Sequence, residues 1–212
     1  MYKYSYDATA LRYRNPTTGR FISKKQIDNS LDKYRAIQSQ QMRATAQQYI
    51  NKQISRKDAE IAIAKSIKNL WNTELVAGKG GVQNVAANDW LMVARELKQQ
   101  YYMEQANKTG KSYGLRQLFD AYERGEKSPS KMLNSMDSYA KASKKAYWMA
   151  NQQMMQKSNQ YSLMERILGI AEHCPDCLRF AALGIQPIGT LPLPGQLCQC
   201  QFNCKCSIKY YK

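Results

Sequence analysis

The sequence predicts a mainly α fold: a helical body of four to five helices with an extended basic N-terminal arm and a small cysteine-rich C-terminal β element. Three observations lead there. Apolar residues recur at three- and four-residue steps from about residue 24 to residue 158, the period of one helix face. All six cysteines and four of the six prolines are confined to residues 173–212, where the helical period is lost. Residues 1–25 carry six basic side chains against the single acid Asp7 and show no apolar period at all. The expected division is therefore an arm over 1–22, a helical body over 23–160 and a cysteine-rich module over 161–212.

In the arm, Lys3, Arg12, Arg14 and Arg20 are interleaved with Tyr2, Tyr4, Tyr6 and Tyr13. Asn15-Pro16-Thr17-Thr18-Gly19 reads as a turn, because proline presets φ and glycine accepts positive φ. Arginine and tyrosine in such a segment suit phosphate and stacked bases, and suit a neighbouring subunit equally.

Ser23 is placed to cap a long first helix, whose stripe runs through Ile27, Leu31, Tyr34, Met42, Ala46, Tyr49 and Ile50. Ser55 with Asp58 three residues on has the form of a capping box, and Ile61, Ala64, Ile67 or Lys68, Trp71 and Leu75 continue a second stripe. The link between the two is short enough to predict an antiparallel hairpin. Gly78-Lys79-Gly80-Gly81 follows a helix rather than a strand and fits neither phosphate-loop spacing, so it is expected to be a helix stop. Asn88 is the expected cap of a third helix with Leu91, Ala94, Leu97, Tyr101 and Met103. A shorter one bears Leu115, Leu118, Phe119 and Tyr122. Ser128-Pro129 opens the last, a single long helix through Met136, Tyr139, Ala146, Tyr147 and Ala150, whose methionines are expected to fill the core. Lys131, Lys141, Lys144, Lys145 and Lys157 crowd that helix against one acid, Asp137.

The formal charge of +16, from 32 basic and 16 acidic residues, points to a polyanionic partner. No run approaches 18 apolar residues and the first residues lack the apolar core of a signal peptide, so synthesis in a reducing cytoplasm and no membrane partner are expected. In that compartment, clustered cysteines serve as metal ligands more often than as disulfides.

Cys174 and Cys177 form a C-x2-C pair, expected as a tight knuckle that presents two thiolates to one zinc ion. The second pair is sought in the array Cys198, Cys200, Cys204 and Cys206. Residues two apart in an extended chain share a face, so Cys204 and Cys206 are first choice, with Cys200 as substitute. Disulfides or plain burial remain open alternatives, and six cysteines exceed one tetrahedral site. A redox reading, with His173 beside the C-x2-C pair, lacks the βαβ alternation it would need. His173 is the only histidine, and no catalytic constellation or small-molecule site is expected elsewhere. Around this cluster, the segments from Arg166 to Ile170 and from Cys206 to Tyr211 are expected to pair as a small antiparallel sheet.

Several of these residues carry a resemblance. Arg12-Tyr13-Arg14, Thr18-Gly19-Arg20-Phe21-Ile22-Ser23, Leu168-Gly169, His173-Cys174-Pro175-Asp176-Cys177, Ala181-Ala182-Leu183-Gly184, Pro187-Ile188-Gly189-Thr190-Leu191-Pro192 and Asn203-Cys204-Lys205-Cys206 resemble the minor head proteins, or head morphogenesis proteins, of tailed bacteriophages, distant relatives of the Mu-type minor head protein. The resemblance implies a virion component near the portal vertex, acting in head assembly or in DNA packaging and ejection, and not an enzyme. Its partners would be the portal protein, the major capsid protein and packaged DNA. The family's single cysteine before the Asn-Cys-x-Cys element is matched best by Cys200, which leaves Cys198 as a departure. The competing class is a freestanding zinc-containing protein that binds nucleic acid without sequence preference. Such a protein would carry its charge on the zinc element, whereas residues 170–212 hold only four basic residues against two acids.

Overall fold

The computed structural model describes residues 4–7, 12–15, 17–102, 105–107, 110–112 and 114–212. Tyr2, Lys3, Pro16 and Met103 of the sequence reading lie outside them. In chain order the strands are β1 (Ser5–Asp7), β2 (Arg12–Arg14), β3 (Phe21–Ile22), β4 (Gln105–Asn107), β5 (Gly110–Ser112), β6 (Leu163–Ile167), β7 (Gln186–Pro187) and β8 (Ser207–Tyr211). The helices are α1 (Lys24–Ile50), α2 (Arg56–Gly78), α3 (Ala87–Tyr102), α4 (Leu115–Glu123), α5 (Pro129–Ala142), α6 (Lys144–Lys157) and α7 (Pro175–Ala182). The seven helices of the described residues span 111 of the chain's 212 residues, well above the usual third in soluble domains, so the mainly α expectation holds, although six helices rather than four to five precede residue 160. Among the described residues no helix is long and apolar enough to cross a membrane.

Two compact units are drawn from discontinuous stretches of chain. One comprises residues 25–73 and 86–143, and its interior is helical throughout. Ile27, Leu31, Met42 and Ala46 of α1, Leu118 and Phe119 of α4, and Met136 of α5 are buried, as the stripes read from the sequence require. In α2 the buried face is rotated from the expected one, with Ile63, Ile67 and Leu70 buried and Ile61 exposed, and in α3 Val93 and Leu97 are buried while Leu91 is exposed. Polar links join the same helices. Tyr49 donates to Glu123 (2.8 Å), Arg56 reaches Asp120 (2.6 Å) and Glu123 (2.5 Å), and Arg43 pairs with Asp137 (2.9 Å). Helix α2 opens with the expected box, Ser55 Oγ accepting from the Asp58 amide at 3.1 Å. For α3 the cap is different: the helix starts at Ala87, and the Asp89 carboxylate accepts from the Ala86 amide at 2.8 Å, leaving Asn88 inside the first turn.

The other unit comprises residues 1–24, 74–85 and 144–212. Its N-terminal part differs from the extended arm expected over 1–22: β1, β2 and β3 pair antiparallel, with Tyr13 opposite both Tyr6 and Ile22. The turn between β2 and β3 is closed by Asn15, whose side chain accepts from the Thr17 amide (2.9 Å), and by Gly19 at φ 67°. Arg14 pairs with Asp7 (2.9 Å) and lies over the Phe21 ring, and Tyr13 is buried. In the same unit α2 ends at Gly78, where an added Cβ would stand 2.4 Å from the Tyr147 carbonyl oxygen of α6. The glycines after it make a helix stop, with the Gly81 amide returning to the Val76 carbonyl (2.9 Å).

The single helix expected over residues 129 to 155 is interrupted. Ser143 is fully buried and its hydroxyl donates to the Ala140 carbonyl (2.8 Å), competing with the helical ladder, so α5 ends at Ala142 and α6 begins at Lys144. After α6 the chain enters a three-stranded antiparallel sheet in the order β7-β6-β8. The β6–β8 pairing runs from Leu163 opposite Tyr211 to Ile167 opposite Ser207, which is the small C-terminal sheet expected, with its first strand at Leu163–Ile167 rather than in the segment from Arg166 to Ile170.

Candidate metal centre

Strand β6 supplies the base of the site. Its side chains alternate, so Met164 and Arg166 turn inward together, both at 1% exposure or less. The chain leaves β6 through Gly169, which passes so close to Lys205 that a Cβ there would stand 2.3 Å from the Lys205 carbonyl oxygen. That contact holds the two cysteine-bearing stretches side by side.

The C-x2-C pair is not a free knuckle. Pro175 sits at the start of α7, a position where the missing N–H costs nothing, Cys174 is the residue before it, and Cys177 lies in the first turn. Asp176 then ties the helix to the opposite loop by accepting from the Gln199 amide (3.1 Å). In that loop Cys198 and Cys200 precede a single 3-10 turn over Gln201–Asn203, and Cys204 and Cys206 lead into β8. Gln201 adopts φ 44°, a left-handed conformation that folds Cys204 back towards Cys198 and Cys200.

The result is a convergence of sulfur. The thiols of Cys177, Cys198, Cys200 and Cys204 all lie within 4.8 Å of one another. Cys177 to Cys200 is 3.4 Å, Cys198 to Cys200 is 3.4 Å, and Cys177 to Cys204 is 3.7 Å. A zinc tetrahedron with bonds of about 2.3 Å has sulfur–sulfur edges of about 3.8 Å, and a disulfide has about 2.05 Å. The observed separations fit the former, and all six cysteines are free thiols.

Of the expected ligands, Cys177, Cys200 and Cys204 fall in this tetrad, and Cys198 completes it. Cys174 lies against it, in contact with Cys177 and Cys200. Cys206 packs in the same buried cluster, in hydrogen-bond contact with Arg166 and Cys177, and is also grouped with His173 and Cys177. Burial pushes the Cys174 thiol up, but the backbone N–H groups of Cys177 and Cys200 and both their thiols outweigh it and bring the group down to about 7. Cys204 is held well below the ordinary thiol range by the hydrogen bond from Cys198, with the Arg166 charge adding to it against burial. The other three thiols of the tetrad are pushed up, Cys177 and Cys200 chiefly by burial and Cys198 by its hydrogen bond to Cys204 and by burial, so a metal must displace their protons on binding.

Arg166 is the feature the sequence did not signal. Its Nη1 donates to the Pro192 carbonyl (2.7 Å), and its Nη2 lies 3.1 Å from the Cys204 sulfur, 3.6 Å from Cys177 and 3.7 Å from Cys198. The guanidinium carbon is 5.5 Å from the centre of the Phe180 ring. Nε is buried without a hydrogen-bond partner. A fully buried guanidinium needs a counter-charge. Here its acceptors are one carbonyl and a group of sulfurs, which fits a cluster that carries negative charge. No family model matches the chain, and no curated protein or solved structure matches it either.

Proposed function

We propose that the chain is a structural component of a tailed-phage head, positioned near the portal vertex and acting in head assembly or in DNA packaging and ejection. The observation that carries this reading is the convergence of the six cysteines in the segment that bears the resemblance to minor head proteins. Residues 163–211 carry few large apolar groups and are interrupted by Pro187, Pro192 and Pro194, and elements of that kind need a cross-link or a metal. Zinc held by the thiol tetrad is that staple, with disulfides as the alternative in an oxidising medium. The module also leaves Leu168, Ile170, Leu178, Leu183, Ile185 and Leu197 exposed, an apolar set suited to docking on another protein of the head. It has no enzymatic role in this account.

The excess of basic residues serves packaged DNA, which presents about one negative charge per 1.7 Å of axis. Lysines and arginines spread over helices neutralise phosphates without reading bases. A second reading, a freestanding nonspecific nucleic-acid-binding protein with a zinc module, draws on the same +16 charge. Both predict DNA binding that weakens steeply as salt is raised. Quantitative protein analysis of purified particles, intact and emptied of DNA, separates them. Recovery of the chain with the heads is the expected result, and its absence from particles overturns the virion reading.

A further inference from the structure

Once the tetrad has taken Cys177, Cys198, Cys200 and Cys204, three potential donors remain: His173, Cys174 and Cys206. They are not scattered. A ring nitrogen of His173, Cys206 Sγ and Cys177 Sγ lie within 4.8 Å of one another, and Nδ1 to Cys206 is 3.8 Å. With zinc–nitrogen and zinc–sulfur bonds of about 2.0 and 2.3 Å, a tetrahedral edge between such donors is about 3.6 Å.

The imidazole is set up for ligation. Its Nε2 is 2.8 Å from the Gly169 carbonyl oxygen, so Nε2 carries the proton and donates to that carbonyl. Nδ1 is thereby left with a free lone pair directed at Cys206. A ligating histidine is oriented in this way by a carbonyl behind it. The carbonyl itself is fixed, since Gly169 is pressed against Lys205.

We propose that the module holds two zinc ions in one binuclear thiolate centre, with the Cys177 sulfur bridging them. This rests on the metal-staple reading of the same cysteines. The first ion takes Cys177, Cys198, Cys200 and Cys204. The second takes Cys177, Cys206 and His173. Its fourth ligand is Cys174, next to His173 in the chain, whose thiol touches Cys177 and Cys200 in this structure and turns from Cys200 towards Cys206 as the second ion enters. Two tetrahedra that share one corner require seven donor atoms, and the chain has six cysteines and one histidine, all in this module. Cys177 is the donor common to both groups, and a thiolate sulfur has lone pairs enough for two ions. Two divalent ions against six thiolates leave two negative charges, one of which Arg166 offsets at 3.1 Å. No redox step is involved: as zinc enters, each thiol still protonated loses its proton to solvent.

The test uses the full-length reduced protein, zinc alone and native mass spectrometry. Two zinc ions per chain are expected, falling to one in His173→Ala and in Cys206→Ser. One ion in the unaltered chain overturns the binuclear centre while leaving the staple, and none overturns both. Retention of two ions by His173→Ala also overturns the assignment. Should these variants fail to fold, cadmium NMR of the unaltered chain decides: two resonances are expected, one from four sulfurs and one from three sulfurs and a nitrogen, and a single resonance contradicts the centre.

Discussion

At Arg166 a guanidinium with 1% exposure rests on the sulfurs of Cys177, Cys198 and Cys204. If those thiols were protonated and neutral, the buried charge would be an unrelieved cost, and an apolar residue of similar length would be tolerated or even favoured. If they are thiolates around zinc, the guanidinium orients and neutralises them. Arg166→Met is therefore expected to weaken zinc binding by about tenfold to a hundredfold, the usual effect of losing a group that supports metal ligands. Arg166→Lys, which keeps the charge without the planar fork, should fall between. Competition with a chelator of known affinity measures both, and a methionine variant that binds zinc as tightly as the parent contradicts the role. Neither Arg166 nor the place of Cys198 could be read from the sequence. The arginine sits in a short strand whose neighbours Leu163, Glu165 and Ile167 give no sign of which face is buried. Cys198 looks surplus only while the ligands are sought as extended-chain pairs, and the left-handed turn at Gln201 is what removes that constraint.

Among the helices, the contacts that join α1, α2 and α4 converge on Glu123, which accepts from Tyr49 and pairs with Arg56. Burial raises the Tyr49 phenol, and the hydrogen bond to Glu123 raises it further, to about 12. A phenol raised in the folded state contributes stability that is fully present below its ordinary value of about 10 and is lost as pH climbs towards 12. Burial also raises the Tyr139 and Tyr210 phenols, so tyrosinate absorbance should show several late-titrating groups, one of which is lost in Tyr49→Phe. An unchanged late-titrating amplitude in the variant, with one phenol lost near the ordinary value of about 10, would place Tyr49 in solvent. At this scale much was legible: Ser55 with Asp58, Ser128 with Pro129 and the glycines after Gly78 mark helix ends by chemistry that acts locally. Three features were not. Ser143 breaks a helix through a hydroxyl bond to Ala140 that only burial makes decisive. The C-x2-C pair lies at a helix start, although Pro175 and Asp176 are residues that favour one. Strands β1, β2 and β3 are too short for an alternating pattern to stand out, and only the Asn15 to Gly19 turn announced them.

For the whole molecule, sequence order and compactness part ways. Residues 74–85 and 144–157 belong with the cysteine-rich segment, whereas residues 25–73 and 86–143 form a helical unit of their own. Helical periodicity is blind to this, because it reports that a face is buried and not which partner buries it. Gly78 shows how the association is encoded: only the absence of a side chain lets α2 meet the Tyr147 carbonyl of α6. Two units with separate interiors should also respond separately to loss of a staple. The decisive measurement is amide hydrogen exchange of the reduced, zinc-loaded protein before and after chelation. Protection of β6, α7 and β8 should collapse when the metal is removed, while α1, α3, α4 and α5 keep theirs. If protection across residues 163–211 is unchanged with the metal gone and all six thiols free, metal does not hold the C-terminal module together.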